Sequence, residues 1–379
     1  MGKPLHLGMV GYGFNSIEVK FDLQNRSMLK GRTKLIAGYD PNPVMKQNLM
    51  NLEGVKAAGS FEDLLDTPDL EAIMICSPPQ FHADQAVAGL EGGLHVFSEI
   101  PMALKEEDLE RIINAVDLSG KKYELGENYC YLPEVLFAGH LTSTGKIGPV
   151  VYAESEYLHD VTYRWRTNFC GDVDTPRVDS WYQLFDPLMY AHSIGPAQIA
   201  LGGIQNPMPF CEVVSYANDI GGYEGNPICH PAKAFHVGLF KTESGAIAKC
   251  ANAYIFARDP TRLIIQVTGR TGTYECYEIG RAPGRLFLAE GHVISRRTRR
   301  KGKVKMIDKE ELNKLIPPLK GAYFGANTRI YDDWLTAIEK DIEPAINARI
   351  GANMCHSGIA ASKSAKLNGK SVKIKQFLD

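Results

Sequence analysis

Nowhere in these 379 residues is there an apolar run long enough to span a bilayer. The N-terminus enters a strand-like stretch, Leu5 to Val10, without signal-peptide architecture, so the chain reads as cytoplasmic. An excess of charge of either sign is also missing. The 42 Lys and Arg nearly balance the 44 Asp and Glu, and a net charge of -2 argues against nucleic acid or a membrane surface as the main partner. The 8 cysteines include no Cys-x-x-Cys pair and no Cys/His cluster of zinc spacing, which argues against a structural zinc and a disulfide framework. His159, Asp160, Asp172, Asp174 and Asp179 offer hard oxygen and nitrogen ligands, but at irregular loop spacing, and no metal is expected.

What is present is a chain long enough to bury a large core in two domains. Leu5–Val10, Leu35–Tyr39, Ala72–Cys76 and Leu94–Phe97 are short apolar runs of the kind buried on both faces of a sheet. Amphipathic stretches separate them, such as Lys105 to Leu118 with Leu109, Ile112, Ile113 and Val116 on one face. This alternation predicts an α/β fold with a doubly wound parallel sheet over residues 1–127. Beyond Glu127 the pattern changes. Strand-like runs at Phe235–Phe240, Ala246–Tyr254 and Leu263–Thr268 predict an open, mostly antiparallel sheet within residues 128–379, and Ile330 to Leu367 returns to helical periodicity. The basic run Ser295 to Lys305 reads as a solvated loop or hairpin.

Gly11-Tyr12-Gly13-Phe14-Asn15-Ser16 follows the first strand and opens a helical pattern, the context in which a Gly-x-Gly turn cradles a dinucleotide pyrophosphate at a helix N-terminus. Asp40, ending the next strand, supplies an acceptor for the adenosine ribose hydroxyls. No arginine follows it, so NAD is expected and not NADP. Ser77, Pro78 and His82 then lie after another strand, where the nicotinamide half must pass.

Together with Gly93–Pro101, Gly145–Gly148 and the Trp334–Leu367 tail, these motifs resemble the Gfo/Idh/MocA family of sugar and inositol oxidoreductases over nearly the whole chain. The resemblance implies a Rossmann domain, bound NAD with Glu99 and Asn128 beside it, and a second domain that binds a small sugar and assembles a homodimer or homotetramer. Two departures stand out. The dehydrogenases of the family carry lysine between Glu and Pro where this chain has Glu99-Ile100-Pro101, and of their Asp-x-x-x-His-x-x-Asp motif only His192 remains, with Leu188 and Gly195 at the acidic positions.

The sequence is closer to the NAD-dependent glycoside hydrolases typified by α-N-acetylgalactosaminidase, which also have a branched apolar residue before the proline. Glu127–Tyr131, Tyr157–Asp160 and His192–Pro196 resemble motifs of that subgroup, although its tyrosine three residues before the histidine is Met189 here and Tyr190 follows. The resemblance implies transient oxidation of a sugar hydroxyl, loss of the neighbouring carbon-bound proton, departure of the anomeric substituent, water addition and re-reduction. His192 is the expected hydroxyl base because imidazole titrates near neutrality. Tyr129, Tyr131, Tyr157 and Tyr190 compete for the carbon-acid step, with Tyr131 and Tyr190 placed in the catalytic set. Tyr157, His159, Tyr163, Trp165 and Arg166 are the expected sugar contacts. A plain NAD-linked sugar or cyclitol dehydrogenase and a non-catalytic NAD-binding sensor are the competing readings.

Overall fold

The structure, a computed structural model, describes residues 3–160, 186–218, 235–253, 261–290 and 301–377. Six strands form the first sheet: β1 (Leu5–Val10), β2 (Thr33–Tyr39), β3 (Lys56–Ala57), β4 (Ala72–Ile75), β5 (His95–Ser98) and β6 (Tyr123–Leu125). They are all parallel and run in the order β3-β2-β1-β4-β5-β6, the doubly wound topology expected from the alternating pattern. The four residues of β4 are all buried, which is why it reads as an unbroken apolar run.

The connecting helices carry their own start and stop signals. Glu106–Ser119 opens on Glu106, Glu107 and Asp108, whose charges favour the positive helix N-terminus, and ends at Gly120 with φ 64°. Its Leu109, Ile112 and Ile113 are buried. Pro43–Met50 begins with Asn42 accepting from the Val44 and Met45 amides, and Pro43 occupies the first turn, where its missing N–H costs nothing.

The second sheet comprises β7 (Val150–Leu158), β8 (Phe210–Asn218), β9 (Phe235–Thr242), β10 (Ile247–Ala253), β11 (Arg262–Gly269), β12 (Gly272–Cys276), β13 (Gly284–Glu290), β14 (Lys301–Ile307) and β15 (Val372–Lys373). Their order is β14-β13-β12-β11-β7-β10-β9-β8-β15, antiparallel except between β7 and β10. One face is covered by the helices Pro133–Ser143, Ile194–Gly202 and Ala348–Lys366. Of the basic run, the part within the described residues enters β14, which pairs with β13 as a hairpin arm; Lys303 and Lys305 are exposed on this edge strand, where charge discourages pairing with another chain.

The C-terminal helices tie the two sheets together. Arg32, from the first sheet's side, bonds Asp332 at 2.6 Å and Glu339 at 2.8 Å on the helix Ala326–Lys340. The helix Ala348–Lys366, capped by Asn347, packs on β8 and also meets the Glu106–Ser119 helix, where Arg349 reaches Asp117 at 2.9 Å. The cleft described next lies between these layers. No described helix is long and apolar enough to cross a membrane.

Candidate active site

The parallel sheet delivers its polar residues to one edge. Gly11 follows β1, Asp40 follows β2, Ser77 lies just past β4, Glu99 follows β5, and Glu127 and Asn128 lie just past β6. This is the carboxyl edge, at which the strand order reverses between β1 and β4 and where such sheets bind ligands. Gly11 sits at φ 82°, and a Cβ there would stand 2.8 Å from the Ser77 amide nitrogen and 2.9 Å from the Cys76 carbonyl. Only glycine leaves this cradle open, so the residues present fit a dinucleotide. Ser16, where a third glycine is common, is accommodated by turning inward so that its hydroxyl donates to the Gly13 carbonyl at 2.9 Å. Asp40 accepts from the Tyr12 amide at 2.7 Å and from the Asn42 amide at 2.8 Å, which fixes its carboxylate over the Gly-x-Gly turn. Phe14 and Asn15 open the first helix, and their side chains lie outside the described part.

His82 is placed differently from a ligand contact. It is buried, with Nδ1 2.9 Å from the Pro101 carbonyl and Nε2 2.7 Å from the Ser77 carbonyl, so it braces the Ser77-Pro78 segment against the Ile100-Pro101 turn. Ser77 in turn bonds Gln85 through its hydroxyl.

A cleft of about 580 Å³, counting its solvent-open part, is lined by residues of both halves of the chain. Glu99, Ile100, Gly126 and Asn128 come from the first sheet's edge; Tyr157 comes from the end of β7, Tyr190 and His192 from the turn before Ile194–Gly202, and Tyr323, Asn327 and Tyr331 from around the start of Ala326–Lys340. Ile100 is 4% exposed. A buried apolar side chain therefore stands at the position of the dehydrogenase lysine.

His192 is enclosed by rings: Tyr129 at 4.0 Å between centroids, Tyr190 at 4.6 Å and Tyr157 at 4.7 Å. Its Nδ1 lies 2.8 Å from Glu127 Oε1. A buried carboxylate only accepts, so Nδ1 carries the proton and Nε2 is left as the acceptor. Glu127 is fully buried and also receives the Tyr129 amide at 3.3 Å; its second oxygen has no partner among the described residues. A Cβ on Gly195 would meet Glu127 Cγ at 2.9 Å and Cys130 Sγ at 2.7 Å. The Glu127 side chain, arriving from the other side after β6, thus takes the space that a side chain at position 195 would need. This partner was hidden in the sequence because Glu127 and His192 are 65 residues apart.

The shift of the tyrosine from 189 to 190 has a local explanation. Residues Pro187–Tyr190 form a 3-10 turn, and Ala191 follows at φ 64°, so the chain reverses and brings Tyr190 beside His192. Met189 and Leu188 are instead pressed against Gly358, whose Cβ would stand 2.7 Å from Met189 Cα.

Tyr131 is not brought to the cleft. Its hydroxyl lies 2.9 Å from Glu124 Oε1 and 2.8 Å from Asp333 Oδ2, in a buried cluster on the far side of the turn. One hydroxyl donates one proton, so one of the two carboxyls must be protonated. Burial, reinforced by the nearby Asp333, pushes the Glu124 carboxyl well above the usual range; burial also raises Asp333 and Tyr131. His159 packs its ring 5.7 Å from Tyr157. Tyr163, Trp165 and Arg166, with Asp172, Asp174 and Asp179, lie outside the described residues. Among those described, no three His, Cys, Asp or Glu side chains gather as a metal site.

Two cleft residues escaped the sequence reading. Asn327 accepts from Asn128 Nδ2 at 2.6 Å, leaving Asn128 Oδ1 buried without a partner among the described residues, ready to accept from a bound group. Tyr323 and Phe324 are consecutive non-glycine residues at φ 50° and 58°. Each such residue costs about 1–2 kcal/mol.

Residues 5–127 match the oxidoreductase family with an NAD-binding Rossmann fold. Over 138 residues, 36% of this chain, the sequence is 28% identical to a glycosyl hydrolase family 109 protein of Shewanella baltica and, equally, to an α-N-acetylgalactosaminidase of Shewanella oneidensis. The match spans 30% of the length of those relatives. In fold the likeness runs the length of the chain: the WlbA dehydrogenase of Bordetella pertussis in complex with NADH and UDP-GlcNAcA superposes with a TM-score of 0.77, 18% identity and coverage of 100% of this chain and 99% of that one. A levoglucosan dehydrogenase bound to NADH and levoglucosan gives 0.75, 17%, 98% and 100%. With the open glycine cradle and the carboxyl-edge cleft, the match over residues 5–127 makes this part of the chain similar to the NAD-binding Rossmann domain of the Gfo/Idh/MocA oxidoreductases.

Proposed function

We propose that the chain is an NAD-dependent sugar- or glycoside-processing enzyme that oxidises a sugar hydroxyl transiently and ends redox-neutral, as a glycosidase. The observation that carries this reading is the Glu127–His192 pair, 2.8 Å apart inside an aromatic cleft whose lysine position is filled by buried Ile100. Gly11, Gly13, Phe14, Asn15, Asp40, Ser77 and Pro78 would hold the cofactor, with Glu99 and Asn128 near its nicotinamide. When bound, NAD supplies the acceptor for the sugar's hydride and returns it at the end of the cycle.

This chain's residues do the proton work. His192 Nε2 takes the proton of the hydroxyl that loses hydride, and Glu127 holds the ring in the tautomer that permits it while offsetting the positive charge that follows. Tyr157 and Tyr190, which line the cleft, are the candidates for the carbon-bound proton, whereas Tyr131, engaged by Glu124 and Asp333, is not. The aromatic walls suit the apolar face of a pyranose. Tyr163, Trp165 and Arg166 complete the proposed sugar contacts.

Redox-neutral turnover leaves no reason to release cofactor in each cycle. Native mass spectrometry of the purified chain is therefore expected to find NAD bound, and His192→Ala to retain it while losing turnover. A chain that purifies free of cofactor and yields one NADH per sugar would favour the plain dehydrogenase, the second reading, which is supported by the full-length fold likeness to dehydrogenases.

The face of the second sheet that no described helix covers supports assembly of a homodimer or homotetramer. Register places Tyr216, Leu239, Ile247, Val304 and Met306 on that face, all exposed, among the Glu154, Lys249 and Arg285 charges. Apolar residues mixed with both signs of charge suit a self-complementary contact.

A further inference from the structure

Four residues in five around the start of the Ala326–Lys340 helix have positive φ: Gly321, Tyr323, Phe324 and Gly325. Relief of the strain is blocked on several sides. Thr328 donates to the Lys320 carbonyl at 2.8 Å, a Cβ on Gly321 would meet that same threonine at 2.5 Å, and one on Gly325 would meet the Leu319 carbonyl at 2.5 Å. The β12–β13 connection adds a further hold. Phe324 lies directly on Gly280, in the β12–β13 connection, where any Cβ would overlap the ring, and Gly280 is itself pinned by its amide donating to buried Glu134 at 2.8 Å. The product of this arrangement is the position of Tyr323, whose ring lies 5.4 Å from Tyr129 and lines the cleft. At 37% exposed it is the outermost of the cleft tyrosines, against 5% for Tyr157 and 8% for Tyr190.

We infer that Tyr323 is the outer wall of the cleft, selecting pyranosides by stacking on their apolar face, and that Phe324 seated on Gly280 is the latch that holds it there. The inference rests on the sugar reading of the cleft. Strain in two non-glycine residues persists only where a geometry is over-determined, and here what it determines is the aim of one aromatic ring into the site. An aromatic wall contributes flat contact area at low conformational cost, and its hydroxyl is dispensable for stacking.

The test uses the full chain with NAD⁺ and two probes, methyl α-N-acetylgalactosaminide and levoglucosan, titrated by calorimetry, together with hydrogen exchange over residues 319–326. Tyr323→Ala is expected to weaken the better-bound probe about fivefold to tenfold with NAD affinity unchanged, and Tyr323→Phe to stay within about twofold of the parent. Phe324→Ala is expected to speed exchange across 321–326 and to weaken the same probe, but to add nothing when combined with Tyr323→Ala. Unchanged probe affinity in Tyr323→Ala would overturn the wall; unchanged exchange in Phe324→Ala, or an additive effect in the double variant, would overturn the latch. A parent chain that binds NAD⁺ but neither probe would count against the sugar reading, and the exchange result would still decide the latch.

Discussion

In the proposed function, Ile100 and Glu127 set the chemistry of the cleft between them. A lysine at position 100 would place an ammonium among Phe97, Ile330 and the nicotinamide's expected site, with burial opposing its charge. Ile100→Lys is accordingly expected to lower turnover on the native substrate by about tenfold or more, a barrier increase of at least ~1.4 kcal/mol; steady-state kinetics showing a large gain would mean that the chain is a dehydrogenase that has lost its lysine. Glu127→Gln should leave NAD binding intact, since the residue touches His192 and not the glycine turn, yet cut kcat more than it raises KM. The sequence disclosed His192, because its neighbours form a motif, but not its partner, because hydrogen bonding across 65 residues leaves no local signature. Tyr131 illustrates the opposite error: residues two apart in one motif, Tyr129 and Tyr131, face different surroundings in a 3-10 turn, one against His192 and the other between two carboxyls.

At the scale of elements, local rules carried most of the fold. The expected helix Lys105 to Leu118 is Glu106–Ser119, and the three strand-like runs of the second half appear as β9, β10 and β11, because apolar periodicity and end signals agreed in each. The Ile330–Leu367 tail proved to be two helices, Ala326–Lys340 and Ala348–Lys366, broken where Asp341 turns to φ 51°. The parallel β7–β10 pair was not legible, since it depends on a crossover and not on any pattern within either strand. Gly11 tests the first βα turn as an element. Gly11→Ala combines a disfavoured φ with a Cβ 2.8 Å from the Ser77 amide, so the β1 and β4 ends must part. NAD affinity measured by calorimetry should fall by about tenfold or more, with the protein still folded.

For the whole molecule, the buried Glu124–Tyr131–Asp333 cluster joins the first sheet to the C-terminal helix and ties stability to pH. Glu124 holds its proton in the folded chain to a pH above its unfolded value, so its contribution is fully present below the ordinary carboxylate range and is lost as pH rises through the raised folded value. Thermal unfolding should therefore show Tm falling as pH rises above the ordinary carboxylate range, and Glu124→Gln, which cannot ionise, should flatten that fall. An unaltered slope in the variant would assign the decline to other groups. The central claim, that His192 and the cleft tyrosines run an oxidation that is undone before product leaves, is most directly tested by solvent isotope. Oxidation beside the anomeric carbon's neighbour makes the C2 hydrogen exchangeable with water, whereas displacement at C1 never touches it. A cleavable N-acetylgalactosaminide incubated in D₂O with catalytic NAD⁺ should give product deuterated at C2 without accumulating NADH, and His192→Ala should abolish both exchange and cleavage. Stoichiometric NADH with no deuterium at C2 would contradict the account.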